Sequence, residues 1–313
     1  MRICSLVPSA TEILFALGLG DQVVAVTHAC DVPVEAASRP RVLRSRLDPE
    51  AEGGALDAEV RRARGAGESL YDVDESGLRA AAPEVVFAQD LCEVCAVSAA
   101  DAARVVARLP GPPALVPLHP HRLQECLGDI RTIGQATGRM EAAEALIESL
   151  SIRIDCLRAM THRARPRPRV VCLEWLDPLM ISGHWIPELI ALAGGDDVLG
   201  SPGAASRRVE PEEVSAADPD VVLIMPCGMR PDRAGRELDR LAGSPWWSAL
   251  RAARAGRTYL MDGPGYLQRS GPRIIDGAEM LGGLFHPGVF RRPAPPGAVV
   301  RVAPRRAAER DGG

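Results

Sequence analysis

Short apolar runs alternate with amphipathic stretches along most of the chain, and the order of elements occurs twice. Residues 2–26 read as an apolar strand (Ile3 to Val7), a Pro-Ser turn, a helix (Thr11 to Leu17), Gly18 and Gly20, and a second apolar strand (Val23 to Val26). Residues 169–199 repeat this: Val170 to Trp175, a loop containing Pro and Gly, a helix from Pro187 to Ala193, Gly194-Gly195, then Asp197-Val198-Leu199. Further on, Val73-Asp74-Glu75 leads through a helix to Pro83-Glu84-Val85-Val86-Phe87. Its counterpart, Val209-Glu210-Pro211-Glu212-Glu213, leads to Pro219-Asp220-Val221-Val222-Leu223-Ile224. Strands that are apolar throughout and separated by helices are covered on both faces, which predicts parallel sheets. Pro83 and Pro219 lie 136 positions apart but Cys4 and Cys172 lie 168 apart, so the first half carries extra residues, placed at Arg39 to Leu70. Two unrelated α/β halves can share such a pattern by chance; the recurrence in order favours duplication.

Between the halves, apolar residues recur at helical spacing from His121 to Arg163: Leu123, Leu127, Ile130, Ile133, then Ala142, Leu146, Leu150, Ile154 and Leu157. Gly134 and Gly138 are expected to split this stretch, the second helix starting near Arg139. A helix of about 25 residues is ~37 Å long, the width of a small domain, so it reads as a strut. The run Arg165-Pro166-Arg167-Pro168-Arg169 forces extended chain after it. From Gly288 the sequence turns Arg-, Pro-, Ala- and Gly-rich without periodicity. The expected organisation is an α/β fold with two parallel-sheet lobes, residues 1–120 and 166–287, bridged by a helical connector at 121–165 and followed by a disordered tail at 288–313.

Composition narrows the function. The 313 residues carry 41 acidic and 37 basic side chains, a formal charge of −4, which leaves no electrostatic footprint for nucleic acid. Every basic residue is Arg, so Schiff-base catalysis and the phosphate-loop lysine are excluded. No apolar run reaches the roughly 18–20 residues of a membrane span. Met1 to Glu12 lacks the apolar core of a secretory signal, and the expected compartment is the cytoplasm. There is no Gly-x-Ser-x-Gly elbow, no His-Glu-x-x-His, no Gly-rich phosphate loop and no dinucleotide fingerprint after a strand. By elimination the chain is expected to bind rather than to catalyse.

In parallel α/β sheets, ligands approach the carboxyl ends of strands. The loops there hold two of the four Trp (Trp175, Trp185), one of the three Tyr (Tyr266) and two of the six His (His28, His184). That enrichment suits a pocket for a large, partly aromatic ligand. Trp246-Trp247 opens a helix and reads as a core anchor. Ser9 or Thr11 caps the first helix in this reading, with Glu12 at capping-box spacing from Ser9; the same helix start could offer free N–H groups to a ligand. Cys92-x-x-Cys95 with Cys30 and His28 raises a metal site, a redox dithiol, or simply buried thiols. A structural zinc site usually has two close ligand pairs, and here only one exists.

Several segments together resemble a known family: Ile-Cys-Ser-Leu-Val-Pro-Ser-Ala-Thr-Glu-Ile-Leu at the start, Val-Thr-His-Ala-Cys-Asp-Val-Pro, Leu-Glu-Trp-Leu-Asp-Pro, Gly-His-Trp-Ile-Pro-Glu, and Tyr266 to Asp276 with Arg269-Ser-Gly-Pro-Arg273. They resemble the cobalamin-binding members of the class III substrate-binding proteins, the iron-chelate and cobalamin receptors of ABC importers. The resemblance runs from residue 2 to about 287 and implies two α/β lobes joined by a long helix, with no enzymatic activity. It implies a corrinoid, cobalamin or a relative, lying flat between the lobes. Pro8, Ser9, Ala10 and His28 would contact it from the first lobe, and Trp175, His184, Trp185 and Tyr266 from the second; Asp90 and Arg269 complete the expected ligand-binding set. An ABC-transporter component is the implied partner, and a monomer is expected. Without a signal peptide the chain is similar to a cytoplasmic branch of the family, suited to storage, delivery or sensing. Rival readings are another metal chelate, haem or a siderophore, and a metal-dependent enzyme using His28, Cys30, Cys92 and Cys95.

Overall fold

A computed structural model describes residues 1–48, 50–89, 91, 99–290 and 293–304. The described chain divides into two compact units. Unit 1 takes Met1–Asp155 with Arg269–Ile275, and unit 2 takes Cys156–Gln268 with Asp276–Gly313.

Unit 1 runs β1 (Ile3–Ser5), α1 (Pro8–Ala16), β2 (Val23–Thr27), β3 (Arg41–Ser45), α2 (Gly53–Gly65), β4 (Tyr71–Val73), α3 (Glu75–Ala81), β5 (Val85–Gln89), α4 (Ala99–Val106), β6 (Ala114–Leu118), α5 (Leu123–Thr137) and α6 (Met140–His162). Its sheet has the order β4-β3-β2-β1-β5-β6. β1 and β5 are buried at every position, as expected of central strands with helices on both faces. β4 departs from the parallel expectation: it pairs antiparallel with β3, Leu43 facing Val73. The sheet is therefore mixed.

The segment expected as a helical connector, 121–165, falls mostly within unit 1. Leu123, Cys126, Ile130 and Ile133 of α5 are buried, so this apolar stripe is core. The helices part at Gly138, whose φ of 68° closes α5, whereas Gly134 remains inside it. A Cβ at Gly134 would lie 2.5 Å from the Ala143 methyl, so this glycine permits close packing of α5 on α6. The boundary between units falls inside α6, after Asp155.

Unit 2 continues with β7 (Arg169–Leu176), β8 (Leu179–Ile181), α7 (Ile186–Leu192), β9 (Asp196–Asp197), β10 (Arg207–Arg208), α8 (Pro211–Ala216), β11 (Val221–Ile224), α9 (Pro231–Leu241), α10 (Pro245–Ala249), α11 (Arg251–Arg254), β12 (Thr258–Met261), α12 (Gly263–Tyr266), α13 (Ile274–Phe285, entered from unit 1) and β13 (Val299–Val302). The sheet order is β10-β8-β7-β11-β12-β13, with β9 also on β7. The repeat is visible in the pairing. β1 lies parallel to β2 and β5, and β7 lies parallel to β9 and β11. The second copy differs because β8 folds back antiparallel on the far half of β7, leaving β9 only Arg169 and Val170. Trp247 is 4% exposed and meets Trp246 edge-on, with ring centroids 5.6 Å apart, the core anchor expected.

The expectation of a disordered tail at 288–313 fails for the described part of it. β13 pairs antiparallel with β12 from Thr258–Val302 to Met261–Val299. Without it, β12 would present an unpaired edge of backbone donors and acceptors. Arg301 Nε also donates to Gly256 O at 2.5 Å, just past α11, where a cation meets the free carbonyls of a helix end.

The expected capping of α1 by Ser9 or Thr11 is also absent. Val7 is the cap residue, with no side-chain bond, and Pro8 takes the first helical position, where its missing N–H costs nothing. Glu12 is released for another role. It is 6% exposed and accepts two bonds from Arg273, at 2.9 and 2.7 Å, with Arg269 Nη1 at 3.6 Å. This ion pair ties residues 269–275 into unit 1.

Replacing Glu12 by Gln leaves two guanidinium groups without their shared carboxylate. The expected loss is about 2–4 kcal/mol in urea unfolding, and a loss under about 0.5 kcal/mol would show that the pair does not hold the segment. Asp129 of α5 gives a prediction of opposite sign. It is 7% exposed and Oδ2 has no partner, and burial, with Glu125 nearby, pushes its carboxyl up to about 7. The folded state thus favours the protonated form. Its contribution is greatest below the ordinary carboxylate range and is lost as pH rises through about 7. Asp129→Asn should therefore raise the melting temperature at pH 8 and have a smaller effect at pH 5.

Candidate functional site

In unit 1 the loops after β1 and β2 place the expected site residues. Pro8, Ser9 and Ala10 form the first turn of α1, and all three are buried. Beneath them lies a small polar cluster: Thr11 Oγ1 donates to Ser5 Oγ at 2.8 Å and lies 2.9 Å from Cys30 Sγ. Burial pushes the Cys30 thiol up to about 11, so it is protonated at neutral pH and poorly suited to bind a metal. Cys92, Cys95 and Asp90 lie outside the described residues. Among the described residues no three His, Cys, Asp or Glu side chains are grouped to hold a metal ion.

His28 begins the loop after β2. Its backbone N–H donates to Leu43 O at 3.0 Å, and its ring Nδ1 lies 3.3 Å from that same carbonyl and 3.4 Å from Thr27 Oγ1. A carbonyl only accepts, so Nδ1 carries the proton and the Nε2 lone pair is left available. The Tyr71 ring sits 6.2 Å away, tilted by 39°. Burial, helped by the Arg41 charge and opposed by the Leu43 bond, lowers the His28 pKa. The ring is accordingly a neutral imidazole of defined tautomer, the form in which histidine acts as a ligand.

Arg269 sits with this loop. It was expected in the ligand-binding set, and it belongs to unit 1. Its Nη1 lies 2.5 Å from Asp31 Oδ1, and Nη2 donates to Ala29 O at 3.0 Å. The guanidinium brackets the His28–Asp31 loop, so its bonds serve to shape that loop.

In unit 2, Trp185 is tied to the backbone. It is 4% exposed and its indole N–H donates to Leu267 O at 2.7 Å. Its one polar atom is spent on the backbone beside Tyr266, so it props the Tyr266 loop. Tyr266 itself is half-buried at the end of α12, a turn capped by Asp262, which accepts from Gly265 N–H at 3.0 Å. His184 has a φ of 52°, unusual for a residue with a side chain. That backbone is held by bonds to both sides of a facing loop, His184 N to Ala204 O at 2.6 Å and Gly203 N to His184 O at 2.9 Å. Gly183 permits the approach, since a Cβ there would lie 2.3 Å from Ala204 O. Trp175, at the end of β7, donates its indole N–H to Asp177 O at 2.8 Å. Unit 2 therefore gathers Trp185 with the Tyr266 loop and fixes His184 beside it, their rings 6.0 Å apart.

Sequence reasoning missed the packing of the buried Tyr71 beside His28, Glu12 as an ion-pair partner, and Gln268, whose Nε2 donates to Met225 O at 2.5 Å. Tyr71 stood just past the stretch read as an insertion, where no periodicity pointed toward His28.

Comparison with known proteins agrees with this architecture. A family model described as periplasmic binding protein matches residues 77–264, more than half the chain. The chain is 24% identical over 300 residues to the uncharacterized ABC transporter substrate-binding lipoprotein YvrC of Bacillus subtilis, covering 93% of this chain and 81% of that protein. It is 22% identical over 296 residues to the vitamin B12-binding protein of Vibrio cholerae, covering 90% and 87%. Among solved structures, the apo periplasmic heme-binding protein RhuT from Roseiflexus sp. RS-1 superposes with a TM-score of 0.70 at 24% identity, covering 92% of this chain and 98% of that one. The two α/β units with their mixed sheets have the class III periplasmic-binding-protein fold, and the chain belongs to the periplasmic binding protein family.

Proposed function

We propose that the protein is a non-enzymatic substrate-binding protein of the ABC-importer type, and that its ligand is a planar metal chelate, cobalamin or a related corrinoid. The observation that carries this reading is the His28 imidazole, neutral and with Nε2 available because Nδ1 is committed to Leu43 O. Such a group suits a metal centre presented by a chelate, and the buried Tyr71 ring packs beside it from the core of unit 1. Similarity to vitamin B12-binding proteins along most of the chain supports the corrinoid. The arginines near this loop support the same choice: Arg269 and Arg273 are committed to Asp31 and Glu12 and do not form a cationic rim for an anionic siderophore. Haem is the second reading, favoured by the same imidazole and by the fold shared with a heme-binding protein.

Titration of the purified chain with aquocobalamin, haem and a ferric siderophore tests the proposal. Saturable cobalamin binding with a dissociation constant below about 10 μM, near −7 kcal/mol, is expected; no binding at that level overturns it, and preferential haem binding transfers the site to the second reading. If Nε2 coordinates the metal, the visible spectrum of aquocobalamin shifts on binding and the shift vanishes in His28→Ala. Because the imidazole pKa is lowered, the shift should be unchanged between pH 8 and 7 and fade only below the usual histidine range.

A further inference from the structure

The run Arg165-Pro166-Arg167-Pro168-Arg169 takes no part in the site described above. Two of its arginines are spent on the fold. Arg167 meets Asp196 at 2.8 Å and donates to the carbonyls of Ala191 and Gly195, and Arg169 donates from Nε and Nη2 to Ala217 O. Arg165 differs: with Arg163 and Arg257 it lines a cavity of about 420 Å³ in unit 2. Its bond is to a neighbouring carbonyl, Ala164 O, at 2.8 Å. Among the described residues none of these three guanidinium groups has a carboxylate partner.

One carboxylate, Asp220, also lines the cavity; it shares the Arg251 guanidinium with Asp218. Oδ1 lies 2.8 Å from Arg251 Nη1, and Oδ2 accepts the Arg169 backbone N–H at 2.9 Å. His286 in the same wall is held by Gly194 O, 3.0 Å from Nε2. The lining thus sets three arginines against one carboxylate, on a chain whose formal charge is −4. Its size falls within the roughly 300–1,000 Å³ of small-molecule sites. Guanidinium forks match phosphate oxygens in pairs, while Pro166, Pro168 and Val289 supply an apolar wall.

The cavity is also remote from the loops of the candidate site in this unit. Pro168, Asp220 and Arg257 directly precede β7, β11 and β12, so it opens at the amino ends of the strands. Trp175 lies at the other end of β7, an eight-residue strand about 26 Å long.

We propose that this cavity is a second binding site, specific for a small phosphate-bearing anion, with the phosphate on Arg163, Arg165 and Arg257 and its organic part on the proline wall. Calorimetric titration of the full chain at low ionic strength tests it, using AMP, inorganic phosphate and acetate. AMP or phosphate should bind with a dissociation constant below about 1 mM and acetate should not. The Arg163→Gln/Arg257→Gln double variant should weaken that binding at least about tenfold, and Arg165→Glu provides an independent second variant. Cobalamin titration should be the same in all forms, which separates this site from the one proposed above. Co-sedimentation with phosphatidylglycerol vesicles, lost in the variants, would assign the phosphate to a lipid headgroup instead of a soluble ester. Absence of both kinds of binding, or equal binding by wild type and variants, overturns the proposal.

Discussion

A buried carboxyl group either keeps its proton, as Asp129 does, or takes a counter-charge, and much of unit 1 is arranged around the second solution. Glu12 sits in the second turn of α1, 6% exposed, where an unpaired charge would cost several kcal/mol. Its partner is Arg273, 261 positions later in the chain. Bringing Arg273 to α1 brings the whole Arg269–Ile275 segment with it, and Gly271 lets that backbone pass close to the acid, since a Cβ there would lie 3.0 Å from Glu12 Oε2. Arg269 then reaches Asp31 and the Ala29 carbonyl. The loop that begins with His28 is thus shaped from outside its own half of the sequence.

The same chain of contacts connects structure to chemistry. A histidine on an untethered loop would exchange tautomers and titrate near neutrality. Here Leu43 O receives both the backbone N–H and the ring Nδ1 of His28, so β3 sets the direction of the ring and the proton it keeps. In unit 2 the equivalent task falls to Trp185, which holds the Tyr266 loop through Leu267 O, and to the loop facing His184. In both units the aromatic and imidazole groups are positioned by backbone carbonyls, which keep the same charge at any working pH.

Much of this was legible in the amino-acid sequence, because period and punctuation are local. The apolar runs at Val85 and Val221 became central strands, and the internal repeat reappears in the parallel pairing of β1 with β5 and of β7 with β11. What stayed hidden depends on contacts distant in sequence. The spacing of Ser9 and Glu12 suits a capping box equally well, and only the fold shows that Pro8 starts the helix and Arg273 claims the acid. The bond from the Trp185 indole N–H to Leu267 O, 82 positions away, has no local signal at all. The antiparallel strands β4, β8, β10 and β13 were missed for a similar reason: each is short, two to four residues, and is defined by the strand it pairs with more than by its own pattern.

β13 covers the outer edge of β12, four residues contributed by a stretch of sequence that looks unstructured. A chain shortened ahead of Val299, by proteolysis or by a misplaced stop, would keep nearly all of its apolar interior yet present a bare row of amide and carbonyl groups. Such an edge recruits strands from other molecules, so the damage would emerge as polymerisation of an otherwise native fold, and at a rate set by concentration.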